Sequence, residues 1–146
     1  MRTLALRALK TTAATLDRVH PPRAGIVVLI YHRVGGGSGL ELDLAVDTFD
    51  AQMAALAAEQ RAIALDAALD ELSAPPTHSL PVRNPVVVTF DDGTPDFVEH
   101  ALPVLVRHGI PATLYVATAF VDEQRAFPYG APPVSWAALR DAGSTG

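Results

Sequence analysis

Two adjacent carboxylates, Asp91 and Asp92, directly follow an apolar run in the segment Thr-Phe-Asp-Asp-Gly at 89–93. The three valines at 86–88 predict a buried strand that delivers both acids to its carboxyl end. Gly93 lets the backbone turn sharply there because it has no Cβ. Neighbouring carboxylates repel one another, so an acid pair beside an apolar wall favours a bound cation. One acid could then ligate a metal while the other faces a reactive water.

The residues alone leave a second interpretation open, in which Asp-Asp-Gly is an ordinary turn that ends a strand and caps a helix. His32 is a possible site-lining partner of the pair, because it follows the apolar run at 25–31 and could reach the same rim. The alternative for His32 is a hydrogen-bonded framework histidine. The other four histidines have no metal-ligand spacing and are expected to be solvated: His20, His78, His100 and His108.

Two other families that use paired carboxylates can be tested on these residues. Phosphatases of the haloacid-dehalogenase type use Asp-x-Asp-Gly-Thr, and the chain has Asp-Gly-Thr at 92–94. Their nucleophilic aspartate would fall at position 90, which is Phe90, so no phosphoaspartate can form. A response-regulator receiver needs a lysine after its acid pair, and the one lysine of the chain is Lys10. Residue identity excludes both families.

Strand-like and helix-like patterns alternate along the chain, which predicts an α/β fold with mainly parallel strands. Functional residues of such folds lie at the carboxyl ends of strands, where the acid pair is placed. The predicted strands cover 25–31, 62–65, 86–90 and 112–117, and the predicted helices cover 49–60, 66–72, 95–108 and 135–142. The predicted N-caps are Asp47 or Thr48, Thr94 and Ser135. Gly109 is predicted to end the third helix, and Asp96 is predicted to complement its positive N-terminal end. The segments 35–39, 73–85 and 118–133 are expected to be loops. The first is flexible and rich in glycine, and the second contains four prolines: Pro75, Pro76, Pro81 and Pro85.

Composition narrows the function further. The 146 residues carry 49% hydrophobic content, which is enough for one globular domain. The net charge of −5 offers no cluster of cations for nucleic acid, and the absence of cysteine excludes disulfides and thiolate chemistry. No apolar stretch approaches the ~20 residues of a transmembrane segment. Residues 1–24 are predicted to be an amphipathic helix and its lead-in, rather than a cleaved signal, and 25–146 the folded domain.

Six short segments, in this order and spacing, resemble the polysaccharide deacetylases (the NodB-homology domain of carbohydrate esterase family 4). The acid-pair segment at 86–93 is the most specific of them. The others are Leu-Ile-Tyr-His-Arg-Val at 29–34, Phe49-x-x-Gln52, Ala-Leu-Pro-Val-Leu at 101–105, Gly-Ile-Pro-Ala-Thr at 109–113 and Ser135-Trp136-x-x-Leu139. This resemblance favours a functional acid pair over a simple turn.

The resemblance implies the N-terminal portion of a distorted (β/α) barrel, with its site at the carboxyl ends of the strands. It implies that Asp91 is the catalytic base and that Asp92 holds a divalent metal, usually Zn²⁺. The implied activity is removal of acetyl groups from N-acetylated or O-acetylated polysaccharide, by attack of a metal-bound hydroxide. The implied partner is therefore a carbohydrate substrate, and the family often acts at the cell envelope or outside the cell.

The chain also departs from the family pattern. By resemblance, the other metal ligands are two histidines of a His-Ser/Thr-x-x-His motif on the strand after the Ser-Trp helix, and the 146 residues do not contain it. The later arginine, aspartate–tryptophan and leucine–histidine motifs are absent too. We therefore expect a partial domain, inactive as an isolated 146-residue chain, from a truncated reading frame, an incomplete assembly or a deliberate cut.

The alternative function is a non-catalytic fragment or a degenerate carbohydrate-binding or interaction module. In either case, a partial barrel is expected to leave a sheet edge uncovered and apolar surface exposed.

Overall fold

The computed structural model describes residues 25–73 and 84–144. The helix predicted within 1–24 and three of the four prolines predicted to form a loop before the acid-pair strand lie outside these residues. Within the described ranges, no helix has the length and apolar character needed to cross a membrane.

A parallel sheet of three strands forms the centre of the described fold. Its strands are β1 (Val27–Tyr31), β4 (Val86–Phe90) and β5 (Ala112–Leu114), in the order β1-β4-β5. Tyr31 pairs with Phe90, and Phe90 pairs with Leu114, so the carboxyl ends of all three strands meet at one edge. Every residue of β4 is buried, as its valine run predicts. The α/β fold with parallel strands is confirmed.

The strand β1 is more exposed than its apolar sequence predicts. Val28 is 49% exposed and Ile30 is 60% exposed, because no described element covers that face of the sheet. The prediction that β1 is buried on both faces is therefore wrong. An apolar groove of about 660 Å³ also lies open between β5 and two helices, where it is lined by residues such as Ile110, Leu114 and Leu139. Both features leave apolar surface exposed among the described residues.

A second, smaller sheet lies beside the first. The two-residue strands β2 (Arg33–Val34) and β3 (Asp43–Leu44) pair in parallel around the glycine-rich loop, and no pattern in the sequence predicts them. The Asp43 carboxylate accepts hydrogen bonds from the backbone N–H groups of Gly36 and Ser38 and from the Ser38 hydroxyl. The glycine-rich loop predicted to be flexible is thus tied to β3. Burial opposes ionisation of Asp43, but these hydrogen bonds and the nearby Arg33 charge lower its pKa overall.

Five α-helices accompany the strands in the described part of the chain. They are α1 (Val46–Ala58), α2 (Leu65–Ser73), α3 (Leu102–His108), α4 (Thr118–Glu123) and α5 (Trp136–Gly143). The side chain of Ser135 accepts a hydrogen bond from the N–H of Ala138, which confirms the predicted cap of α5. Gly109 ends α3 in the left-handed conformation with φ 63°, as predicted.

Several predicted boundaries are wrong. The helix α1 begins at Val46 with Ala45 at its N-cap, so Asp47 and Thr48 lie inside the helix and do not cap it. The strand predicted at 62–65 is reduced to one bridge between Ala62 and Val86. The strand predicted at 112–117 ends at Leu114. The loop predicted at 118–133 contains α4, whose six residues are too few to show a periodic pattern.

The helix that follows the acid pair is not a regular α-helix at its start. A π-helical turn (Phe97–Ala101) precedes α3, and the N–H of Leu102 donates to the carbonyl of Phe97. Pro103 explains this widening, because its ring lacks an N–H and clashes with the carbonyl four residues earlier in an α-helix. Thr94 does not cap this helix as predicted. Its hydroxyl is fully buried and has no hydrogen-bond partner among the described residues.

Aromatic rings fill the core directly below the carboxyl edge of the sheet. Phe90, the last residue of β4, lies 5.3 Å from Tyr31 on β1 and 4.9 Å from Phe97 on the π-helical turn, measured between ring centroids. Phe49 of α1 contacts both Tyr31 and Phe90 edge to face. These ring contacts fix the ends of β1 and β4 relative to α1 and the π-helical turn, because each ring packs against at least one other.

Candidate functional site

The backbone of the acid pair is held from both sides at the carboxyl edge of the sheet. The N–H of Asp91 donates to the carbonyl of Tyr31 over 2.9 Å, which extends the pairing with β1 beyond the end of β4. On the other side, the N–H of Tyr115 donates to the backbone carbonyl of Phe90 over 2.8 Å. The N–H of Ala117 donates to the backbone carbonyl of Asp92 over 3.0 Å. Both acids therefore start from a fixed backbone.

The chain leaves the strand through two successive residues with positive φ. Asp92 has φ 71° and Gly93 has φ 86°, which is the region that glycine and, among other residues, aspartate tolerate best. The carbonyl of Gly93 accepts a hydrogen bond from the N–H of Val134 over 2.8 Å. This turn gives the two acid side chains different directions and attaches the later segment to the site.

Of the two acids, Asp91 has the carboxylate with fewer close hydrogen-bond donors among the described residues. Its side chain is 39% exposed, and its Oδ2 lies 3.9 Å from Nε2 of His32, whose own side chain is 40% exposed. The predicted proximity of His32 to the acid pair is therefore present in the fold. The predicted roles, Asp91 as a base and His32 as a site-lining residue, stay predictions.

Asp92 has a partner that the sequence analysis missed. The hydroxyl of Tyr129 donates a hydrogen bond to Oδ2 of Asp92 over 2.8 Å. Burial raises the pKa of Tyr129 well above its ordinary value, and the hydrogen bond to the Asp92 carboxylate and its negative charge raise it further. The predicted role of Asp92 as a metal ligand likewise stays a prediction.

A tight turn presents Tyr129 to the acid pair. The N–H of Gly130 donates to the carbonyl of Phe127, and the N–H of Phe127 donates to Ala131, each over 2.8 Å. Pro128 suits the second position of such a turn because its ring presets φ. Gly130 has φ 87°, the left-handed region that glycine adopts most readily. The Phe-Pro-Tyr-Gly sequence at 127–130 was the signal that could have predicted this turn.

An aromatic stack supports the Tyr129 ring from one side. Phe127 lies 5.3 Å from Tyr129 with an interplanar angle of 5°, and Phe120 of α4 lies 4.7 Å from Phe127 at 19°. The guanidinium of Arg125 lies 3.9 Å from the centroid of the Phe120 ring. We call Phe120, Phe127 and Tyr129 the ring stack. The ring stack links Asp92 to α4, a helix that the sequence patterns did not predict.

Residues that lie close to His32 and the acid pair along the chain form a buried ion pair. Nε of Arg33 donates to Oδ1 of Asp96 over 3.2 Å, and the N–H of Val34 donates to Oδ2 over 3.0 Å. The Arg33 and Asp96 side chains are only 11% and 6% exposed. Asp96 was expected to complement the positive end of a helix. Its carboxylate instead joins β2 to the segment that follows the acid pair.

His108 has a different carboxylate partner. Nε2 of His108 lies 2.6 Å from Oδ1 of Asp50, which also accepts from Arg107, so His108 helps to join α3 to α1. His108 is therefore more engaged than the solvated residue that was predicted. His20 and His78 lie outside the described residues.

The described residues do not by themselves make up a zinc site. In residues 25–73 and 84–144, no three histidine, aspartate, glutamate or cysteine side chains are placed to hold one ion. A catalytic zinc takes about three protein ligands and a water. Asp92 could supply one ligand, but the donor set is too small for this metal, so we derive no reaction step through it.

Parallel α/β folds place their functional residues at the carboxyl ends of the strands, which is where the acid pair lies. Residues 81–146 match the family model described as polysaccharide deacetylase. This match includes Asp91, Asp92 and Tyr129. No curated protein sequence matches the chain.

Solved deacetylases have a similar fold. IcaB from Ammonifex degensii is 27% identical, with a TM-score of 0.65, and the match covers 84% of this chain and 49% of IcaB. The deacetylase PplD from Streptococcus pyogenes, solved with acetate, is 23% identical, with a TM-score of 0.64 and coverage of 83% and 53%. A de-N-acetylase from Aggregatibacter actinomycetemcomitans is 18% identical, with a TM-score of 0.63 and coverage of 82% and 51%.

The chain thus spans about half the length of the solved structures that it matches. The family match and the deacetylase structures confirm the predicted resemblance to polysaccharide deacetylases.

The contact between Tyr129 and Asp92 yields a prediction about proton affinity. In the variant Asp92→Asn the negative charge is gone, so the neutral phenol loses its preferred acceptor and the pKa of Tyr129 falls. Tyrosinate absorbance in the near ultraviolet, followed against pH, measures this, and Tyr129→Phe identifies which transition belongs to Tyr129. Asp70→Asn, an exposed aspartate on α2, is the matched control and is expected to leave the curve unchanged. An unchanged Tyr129 transition in Asp92→Asn, followed only over the pH range in which circular dichroism shows both proteins folded, would contradict the contact.

Proposed function

We propose that the chain is part of a hydrolase that removes acetyl groups from an N-acetylated, or O-acetylated, polysaccharide. One observation carries the proposal: the acid pair lies at the carboxyl edge of a parallel sheet, inside the segment that matches the deacetylase family. The deacetylases among the similar structures support the same reaction class.

The different surroundings of the two acids suggest a division of roles. Asp91 is open to solvent at the rim, and its backbone is fixed by Tyr31. We assign it as the general base. Its carboxylate would take a proton from a water whose oxygen attacks the acetyl carbonyl carbon. Cleavage of the carbon–nitrogen bond would release acetate and an amine, which takes up a proton.

Asp92 has a different proposed role, because one of its carboxylate oxygens already accepts a hydrogen bond from Tyr129. We propose that Asp92 contributes one ligand to a divalent metal, with zinc as the first candidate. Such a site would need further ligands from residues other than those described here.

Acetate release from an N-acetylated oligosaccharide tests the assignment of Asp91. The assay uses the product of the complete reading frame that encodes these residues, which we call the frame product. The 146-residue chain is assayed beside it. In the frame product, Asp91→Asn is expected to lower kcat by about 10²–10⁴-fold, the usual contribution of a general base. Asp70→Asn is the control and is expected to keep full activity. Equal rates for wild type and Asp91→Asn would contradict the assignment.

A non-catalytic carbohydrate-binding module is the second candidate, favoured by the small set of metal ligands among the described residues. Zinc titration by calorimetry separates the two. Under the hydrolase proposal the 146-residue chain binds zinc weakly and is inactive, whereas the frame product binds it tightly and loses that site in Asp92→Ala. Under the module proposal neither protein shows a tight site. A tight site that survives Asp92→Ala would show that Asp92 is not a ligand.

A further inference from the structure

We propose that Tyr129 is a positioning residue of the acid pair, which sets the orientation of the Asp92 carboxylate. The proposal rests on the proposed hydrolase function and adds a residue to it. The contact that carries it is the 2.8 Å hydrogen bond from the Tyr129 hydroxyl to Oδ2 of Asp92. Because the carboxylate is rigid and planar, a bond that holds Oδ2 also limits the positions that Oδ1 can take.

The carboxylate of Asp92 needs such a partner because its backbone alone does not determine where its oxygens point. The φ of 71° and the hydrogen bond from Ala117 fix the main chain, but the side chain can still rotate about its own bonds. A hydrogen bond to an ionised group is about twice as strong as one between neutral groups. The phenol therefore has the strength to select one orientation.

Tyr129 is itself fixed from two directions, so the contact is built into the fold. The turn at 127–130 sets its backbone, and the ring stack supports its ring through Phe127 and Phe120. Residues beyond the turn are tied to the acid pair by the hydrogen bond from Val134 to Gly93. A side chain that is half-buried, stacked and held by a proline–glycine turn loses little further entropy when it binds Asp92.

The Tyr129 hydroxyl bonds Asp92 and not Asp91, so the two adjacent acids have different hydrogen-bond partners. One acid is engaged by a phenol, while the other lies at the solvent-exposed rim beside His32. Tyr129 thus serves the reaction through Asp92 and is not assigned a contact with substrate.

The test compares Tyr129→Phe with Ser73→Ala, a control variant that also removes one hydroxyl group. The Ser73 hydroxyl is exposed and donates to the carbonyl of Leu69 within α2, outside the acid pair and the ring stack. In acetate-release assays of the frame product, Tyr129→Phe is expected to lower kcat by about 10- to 100-fold, the usual effect of losing a bond to a charged group. KM is expected to stay unchanged, and the melting temperature is expected to fall only slightly, since one hydrogen bond of a half-buried side chain is lost. Ser73→Ala is expected to keep the wild-type kcat.

Two results would overturn the proposal. One is a kcat for Tyr129→Phe equal to that of wild type and Ser73→Ala. The other is a fall in kcat that comes with a large fall in the melting temperature, which would make the effect structural.

A second measurement does not depend on the reaction, so it distinguishes failure of this proposal from failure of the proposed function. Crystal structures of wild type and Tyr129→Phe are compared at the acid pair. The proposal predicts that the Asp92 carboxylate rotates or takes more than one conformer in Tyr129→Phe, while the backbone of 91–93 stays in place. An Asp92 carboxylate that keeps one unchanged orientation overturns it, whether or not wild type releases acetate.

Discussion

The arrangement of the site depends on the pairing of β4 on both of its sides. Hydrogen bonds to β1 and β5 continue past its last residue, so the backbone of Asp91 and Asp92 belongs to the sheet as much as to the turn that follows. The ring of Phe90, packed among Tyr31, Phe49 and Phe97, fixes the strand end from below. A strand buried over its full length cannot slide by one residue without turning its side chains to the opposite faces. The position of the acids follows from this constraint.

The segments around β4 make two neighbouring carboxylates chemically different. Arg33 and Asp96 form a buried pair that joins the small sheet to the helix after the acids. The ring stack engages Asp92 through Tyr129 and leaves Asp91 beside His32 at the rim. In the proposed hydrolase, this difference in partners assigns the acids their separate roles.

The features that sequence could predict were those that rest on local chemistry. The valine run predicted a buried strand, Ser135 predicted a helix start, and Gly109 predicted a helix end, because each depends on a few adjacent residues. The position of the acid pair followed from the strand before it.

The features that sequence missed depend on contacts between distant segments. Tyr129 lies 37 positions from Asp92 along the chain, and only the packing of α4 and the turn brings them together. The exposure of β1 could not be read from its own apolar residues either, since burial depends on whether another element covers the strand. Asp96 was assigned to a helix end by its position, whereas its partner Arg33 comes from a strand 63 positions away.

The central claim is that the carboxyl edge of β1 and β4 is where an acetylated sugar reacts. A crystal structure of the frame product with an N-acetylated oligosaccharide, using Asp91→Asn to slow turnover, tests it most directly. The account predicts that an acetamide group lies over the strand ends, with its carbonyl carbon facing residue 91 and the Asp92 carboxylate still bonded to Tyr129. An oligosaccharide bound elsewhere, with its acetamide groups turned away from residues 91 and 92, would contradict the account.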